Sequence, residues 1–196
     1  ELQQFLDGSP PDVASRRDRI ACREVVTRTL LALAEGVSLA CWWDLAPEVP
    51  GYSDPYNMLG LVSARLALLD FQGDPPELVD AQPAAATFRM LAAALRGAIA
   101  VERITLGDRG DVHAFTVVFP DGSDKAVQVL WRDAGPFEGD EDAREAFEWQ
   151  WVHDGLHVAN AFAQAVPVPA WNHGRLAVPL TATPILLSST PLVTVG

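Results

Sequence analysis

The hydrophobic pattern of this chain changes period near its middle, and that change constrains the fold more than any other feature. Before Ala98, apolar residues recur at helical spacing in two long stretches; after it they come in short runs separated by Gly, Pro and Asp. Such a chain is expected to fold as an α/β portion over residues 1–98 followed by an all-β portion over 99–196.

In the first portion, residues 1–14 with Pro10-Pro11 read as a loop, and helix signals begin at Ser15, an N-cap with Asp18 three residues on. Ile20, Ala21, Cys22, Val25, Val26, Thr29, Leu30 and Leu33 form the apolar stripe, and Gly36 supplies the stop. The run that follows alternates: Val37, Leu39, Cys41 and Trp43 make one apolar face, and Ser38, Ala40, Trp42 and Asp44 the other. That asymmetry suits a barrel strand with small residues inside and Trp42 at the mouth. Residues 46–59, rich in proline, read as a long functional loop, and 66–80 as irregular or a short helix. A second helix is predicted over 84–96, with Phe88, Leu91, Ala92 and Leu95 buried and Gly97 ending it.

In the second portion, strands are predicted over 101–106, 113–119, 125–131, 149–153, 162–166, 175–180, 184–187 and 192–195, with Asp121-Gly122 as a hairpin turn. This pattern gives an antiparallel β-sandwich. Trp149, Trp151 and His153 share one strand face, either as sandwich core or as a sugar-binding patch.

A formal net charge of −12, with Lys125 as the one lysine, argues against nucleic acid and anionic membrane surfaces and favours a neutral or cationic partner. Seven of the acids fall between Asp133 and Gln150, where a solvated excursion is expected rather than a cation site. Cys22 and Cys41 read as buried free thiols. His153 and His157 are four apart, but Gly155 between them spoils a helical metal pair, so neither a metal nor a cofactor is expected. The chain opens on Glu1 without a basic-then-apolar leader. It is expected to be a piece of a longer or processed protein, which leaves its compartment unassigned.

Five segments taken in order carry a resemblance. Leu30-Leu31-Ala32-Leu33-Ala34-Glu35-Gly36-Val37, Cys41-Trp42-Trp43-Asp44-Leu45, Leu59-Gly60-Leu61-Val62 and Pro83-Ala84-Ala85 are followed by Leu180-Thr181-Ala182-Thr183-Pro184-Ile185-Leu186-Leu187. Together they resemble the carboxyl-terminal part of retaining glycoside hydrolases of the large clan A, built on a TIM-type (β/α)8 barrel. The likeness is to cellulase- and xylosidase-like members with a trailing β-sandwich. Relatives usually carry tyrosine where Trp43 stands and lysine where Gln82 stands, departures that bear on the substrate.

The resemblance implies that these segments are the seventh helix, the eighth strand with its long loop, the eighth helix and the closing sandwich strands. It also implies that Glu1 is the catalytic nucleophile, the alternative being an ordinary loop glutamate. Retaining hydrolysis needs a second carboxyl group about 5 Å away. The family's proton donor lies on a fourth strand outside this sequence. The chain alone is therefore expected to be inactive and to depend on the missing N-terminal barrel portion of its parent. The implied partner is a carbohydrate with β-linked sugars. Trp42 is the candidate platform for a pyranose ring, with core packing as its alternative. Asp44, Tyr52 and Asn57 are candidate hydroxyl-binding groups, or else solvated turn residues. A different class of function, a non-catalytic carbohydrate-binding or structural sandwich, stays open beside the hydrolase.

Overall fold

The computed structural model describes residues 11–38, 69–72, 77–81, 83–107, 109–133 and 146–193, with side chains described over 19–38, 83–107, 109–133 and 146–193. Helix α1 runs Pro11–Ala34, so it starts earlier than the Ser15 cap predicts. Pro11 takes the first helical position, where its missing N–H costs nothing, so residues 11–14, expected in a loop, are helical. Ala21, Cys22, Val25, Val26, Thr29 and Leu30 are buried, as the helical spacing requires. The helix ends in a Schellman motif: Val37 N donates to Ala32 O at 3.0 Å, Gly36 N to Leu33 O at 3.1 Å, and Gly36 takes a φ of 82°. Val37, expected on a helix-covered strand face, lies outside any strand and is 46% exposed. The remainder of that expected strand, from Leu39, lies outside the described residues.

Where an irregular or helical stretch is expected, strands β1 (Leu69–Gln72) and β2 (Glu77–Ala81) pair antiparallel, with an irregularity between Asp70 and Phe71. Helix α2 (Pro83–Leu95) follows. Its buried face is Ala84, Ala85, Thr87, Met90, Leu91 and Ala94, whereas Phe88 and Ala92, expected inside, are exposed. This face combines small residues with Met90 and Leu91, and the large Phe88 is turned outward. Thr87 Oγ1 donates to Ala161 O at 2.6 Å, tying α2 to a distant turn.

The remaining strands are β3 (Ala100–Arg103), β4 (Val112–Val118), β5 (Val127–Arg132), β6 (Phe147–Trp149), β7 (His157–Asn160), β8 (Trp171–Asn172), β9 (Arg175–Val178) and β10 (Ile185–Ser188). They form a five-stranded sheet in the order β3-β4-β5-β10-β7 and a three-stranded sheet in the order β6-β9-β8, and every pairing is antiparallel. The stretch 162–166, predicted as a strand, instead contains a turn, because Asn160 Oδ1 accepts from Phe162 N and Gln164 N and bends the chain back.

Register explains the layering. Val129, Leu186 and Ala159 lie opposite one another across β5, β10 and β7 and join the apolar cluster that contains α1 and α2. Leu130, Ile185 and Leu187 point the other way, into a second cluster with Trp149, Trp151, Leu176 and Val178. The central sheet is thus covered on one face by helices and on the other by the small sheet. This is a β-rich mixed α/β arrangement in which one continuous core crosses residue 98. No helix among the described residues is long and apolar enough to cross a membrane.

Candidate functional site

The residues that the sequence nominates for catalysis and sugar contact, Glu1, Trp42, Asp44, Tyr52 and Asn57, lie outside the described residues. What is described on their chain-proximal side is the helix stop at Gly36, which turns the chain out of α1 through two capping hydrogen bonds.

The second nominated patch takes its core alternative. Trp149 and Trp151 are 7% and 6% exposed, and each satisfies its indole N–H inside the sandwich. Trp149 Nε1 donates to Gln128 Oε1 at 2.8 Å, and Trp151 Nε1 donates to Gly155 O at 2.8 Å. His153 stands edge-on to Trp151, with ring centroids 5.0 Å apart. These indoles have no face free for a sugar. Trp131 is buried as well, stacked between His113 and Phe115 at 5.0 Å from each.

Trp171 is the exception at 54% exposed. It opens β8, whose hairpin to β9 turns through His173 (φ 48°) and Gly174 (φ 78°). Positive φ at both central residues of a two-residue loop defines a type I′ turn, whose twist matches the flanking strands. Sequence reasoning missed this residue because a strand of two residues is too short for any alternation to register. The Asn-His-Gly-Arg stretch after Trp171 was the available signal.

A polar cluster also escaped the sequence reading. Arg103 Nη2 lies 2.8 Å from His113 Nδ1, and His113 Nε2 lies 2.8 Å from Asp133 Oδ1. An arginine has only donors, so His113 Nδ1 must accept and the ring proton must sit on Nε2, where it is given to Asp133. This geometry holds the imidazole in one orientation, stacked on Trp131. Nearby, the buried Arg132 sets its Nε 3.1 Å from Asp111 Oδ2, and Arg109 Nε lies 3.5 Å from Oδ1 of the same carboxylate. The Arg132 Nε–H is not aligned for a hydrogen bond, so that contact is coulombic.

Lys125 closes the end of α2, donating to Ala93 O at 2.7 Å and Arg96 O at 3.2 Å while its ammonium stands 4.9 Å from the Phe119 ring centre. Burial first, and the charge of Arg96 second, lower its pKa from the ordinary 10.5. Two clefts flank β7. One of about 500 Å³ lies among Val158, Ala159, Val166 and Leu192, and one of about 450 Å³ among Asn160, Phe162, Thr181 and Ile185. Both are mostly apolar, and neither gathers titratable groups. No cluster of three or more metal-ligating side chains occurs among the described residues.

The described residues therefore define a helix-backed antiparallel sandwich with one exposed indole. No protein-family model matches the chain, and no curated protein matches it in sequence. Among solved structures it is similar to a family 39 glycoside hydrolase from the gut symbiont Bacteroides cellulosilyticus, with 15% identity and a TM-score of 0.47. That match covers 74% of this chain and 25% of the other, so the chain spans about a quarter of the length of the enzyme it matches.

Proposed function

We propose that this chain is the carboxyl-terminal part of a retaining glycoside hydrolase acting on β-linked glycosides. In this reading residues 1–98 contribute the last units of a (β/α)8 barrel, most of which is supplied by the rest of the parent, and 99–196 form its trailing sandwich. The observation that supports it is the seating of α1 and α2 on the central sheet through one apolar cluster. These are the helices that the ordered motifs assign to the end of a barrel, and a sandwich appended to a catalytic domain needs such a continuous joint to hold its position.

Glu1 is the proposed nucleophile, attacking the anomeric carbon while a carboxylic acid from the missing portion protonates the leaving oxygen, the two groups about 5 Å apart. Trp42 is the proposed platform for the sugar ring, with Asp44, Tyr52 and Asn57 binding hydroxyls. Alone, the chain has no acid/base strand and does not turn over substrate.

The test is made in the full parent polypeptide with aryl β-glycosides. Glu1→Gln keeps the shape and removes the attacking charge, so turnover is abolished while substrate binding persists. Unchanged turnover in Glu1→Gln returns Glu1 to an ordinary loop. Absence of an Asn-Glu pair ending a strand upstream of Glu1 overturns the hydrolase reading itself.

A further inference from the structure

We propose that Arg109 and Arg132, which share the carboxylate of Asp111, form a binding site for a small organic carboxylate where β5 ends. Arg132 is the last residue of β5, and its side chain is only 8% exposed. Its Nε stands 3.1 Å from Asp111 Oδ2, and Arg109 Nε stands 3.5 Å from Oδ1 of the same group. Two permanent positive charges thus face one negative charge. The next acid along the strand, Asp133, lies on the opposite face, where it answers His113 and Arg103 instead.

The geometry leaves a donor over as well as a charge. The Arg132 Nε–H has no aligned acceptor among the described residues, although the atom is shut away from solvent. A buried donor without an acceptor is costly, and a guanidinium taken out of water needs both its charge and its hydrogen bonds answered. The planar fork of an arginine matches a second carboxylate in shape and in sign. The turn that carries Arg109 and Asp111 is fixed by backbone bonds from Val112 N to Arg109 O at 3.1 Å and from Asp133 N to Asp111 O at 2.8 Å. The site is therefore in place before a ligand arrives, which reduces the ordering cost of binding.

Charge and shape select the occupant. A monoanion brings the two arginines and Asp111 to neutrality, whereas a doubly charged phosphate overshoots it. One neighbour is apolar: Arg109 Cζ lies 5.2 Å from the Phe147 ring centre, and Phe147 is tilted on Trp149 with centroids 6.1 Å apart. A carboxylate with a small apolar body therefore fits better than acetate. The net charge of −12 works against loose attraction of anions, so a carboxylate that binds here does so through specific contacts. Such binding is independent of the hydrolase reading, because it is measured on the full chain without its parent.

Benzoate, acetate and inorganic phosphate are titrated into the full chain at constant ionic strength, with benzamide as the uncharged control. Calorimetry and intrinsic tryptophan fluorescence are the readouts. The expected result is saturable binding of benzoate, weaker binding of acetate and phosphate, and none of benzamide. Arg109→Gln, at a half-exposed side chain, should weaken benzoate by at least about tenfold without moving the melting temperature. Asp111→Asn removes the competing carboxylate and should tighten benzoate severalfold. Absence of saturation in the parent chain and in Asp111→Asn overturns the proposal, since the cluster then serves stability alone. Saturation that neither substitution changes overturns it by placing the ligand elsewhere. An equal response to benzoate and benzamide overturns it in favour of an apolar contact, and binding of phosphate alone overturns the choice of a carboxylate.

Discussion

On the helix side of the central sheet, Phe115, Val129, Trp131 and Leu186 share one apolar cluster with Val25, Val26 and Leu30 of α1 and with Ala84, Ala85, Met90, Leu91 and Ala94 of α2. On the opposite side, Leu130, Ile185 and Leu187 meet Trp149, Trp151, Leu176 and Val178, so bulk comes from both layers. Interiors fill to a nearly constant density, and the two sides reach it differently. The helix interface mixes large helix residues with the small ones of α2 and adds polar ties through Thr87 and Lys125. The sandwich interface interdigitates large side chains and reserves its polar ties for indole N–H groups. The small, fully buried positions of α2 should tolerate enlargement poorly, and the large residues of the sandwich should tolerate truncation poorly.

The largest effects come from removing bulk on each side. Phe115→Ala, which unstacks Trp131, should cost about 3–5 kcal/mol, and Leu187→Ala on the opposite face about 2–5 kcal/mol, read from urea denaturation. If the faces form one cooperative unit, tryptophan fluorescence and far-UV circular dichroism shift together in both variants. Separate midpoints would show that the helix layer detaches on its own.

Enlargement sharpens the contrast. Ala94→Leu, at a fully buried α2 position, should destabilise by about 1–3 kcal/mol, although it adds apolar surface. A neutral or stabilising result would mean that the core around Ala94 has room for a larger side chain. Thr87→Val keeps the shape and strips Ala161 O of its side-chain donor; about 1–2 kcal/mol should be lost in the same assay.

The smallest effect belongs to the other tie. Lys125→Met removes two hydrogen bonds to α2 carbonyls and should cost about 1 kcal/mol near neutrality. The sign on the alkaline side follows from its lowered pKa: the folded chain releases this proton before the unfolded chain does. The stability linked to the group is fully present above the ordinary lysine value of 10.5 and is lost as pH falls through the lowered one. Melting temperatures of the variant should therefore lack that rise between the two values. A parallel pH dependence in the two proteins would remove Lys125 as its source.

The long helix, its stop at Gly36 and the antiparallel character of the second half were legible in sequence. In each case one dominant local signal, helical period or turn chemistry, agrees with the tertiary context. The buried face of α2 was legible only in part: Leu91 is buried as expected, but reading large residues as buried favours Phe88, whereas the face turns on Ala84, Ala85, Thr87 and Ala94 as well. β1 and β2 were missed since their residues mix acids and apolar groups without clean alternation. Of the nominated contact residues, Trp149 and Trp151 share a strand pattern that fits a core as well as a binding face. Only the pairing of Trp149 with Leu176 and the partners of the two indole nitrogens distinguish the cases. His113 and Trp131 are opposite one another in the β4–β5 register, a proximity that no local pattern encodes.

Lys125 is the one lysine in the sequence, and it sits across the seam between α2 and the sheet. Amine-directed reagents therefore meet a single side-chain target, and that target is held by helix carbonyls in the closed arrangement. Its acylation rate becomes a clock for the opening of this seam: slow while α2 stays seated, and accelerating in any variant, or under any binding partner, that lifts the helix away.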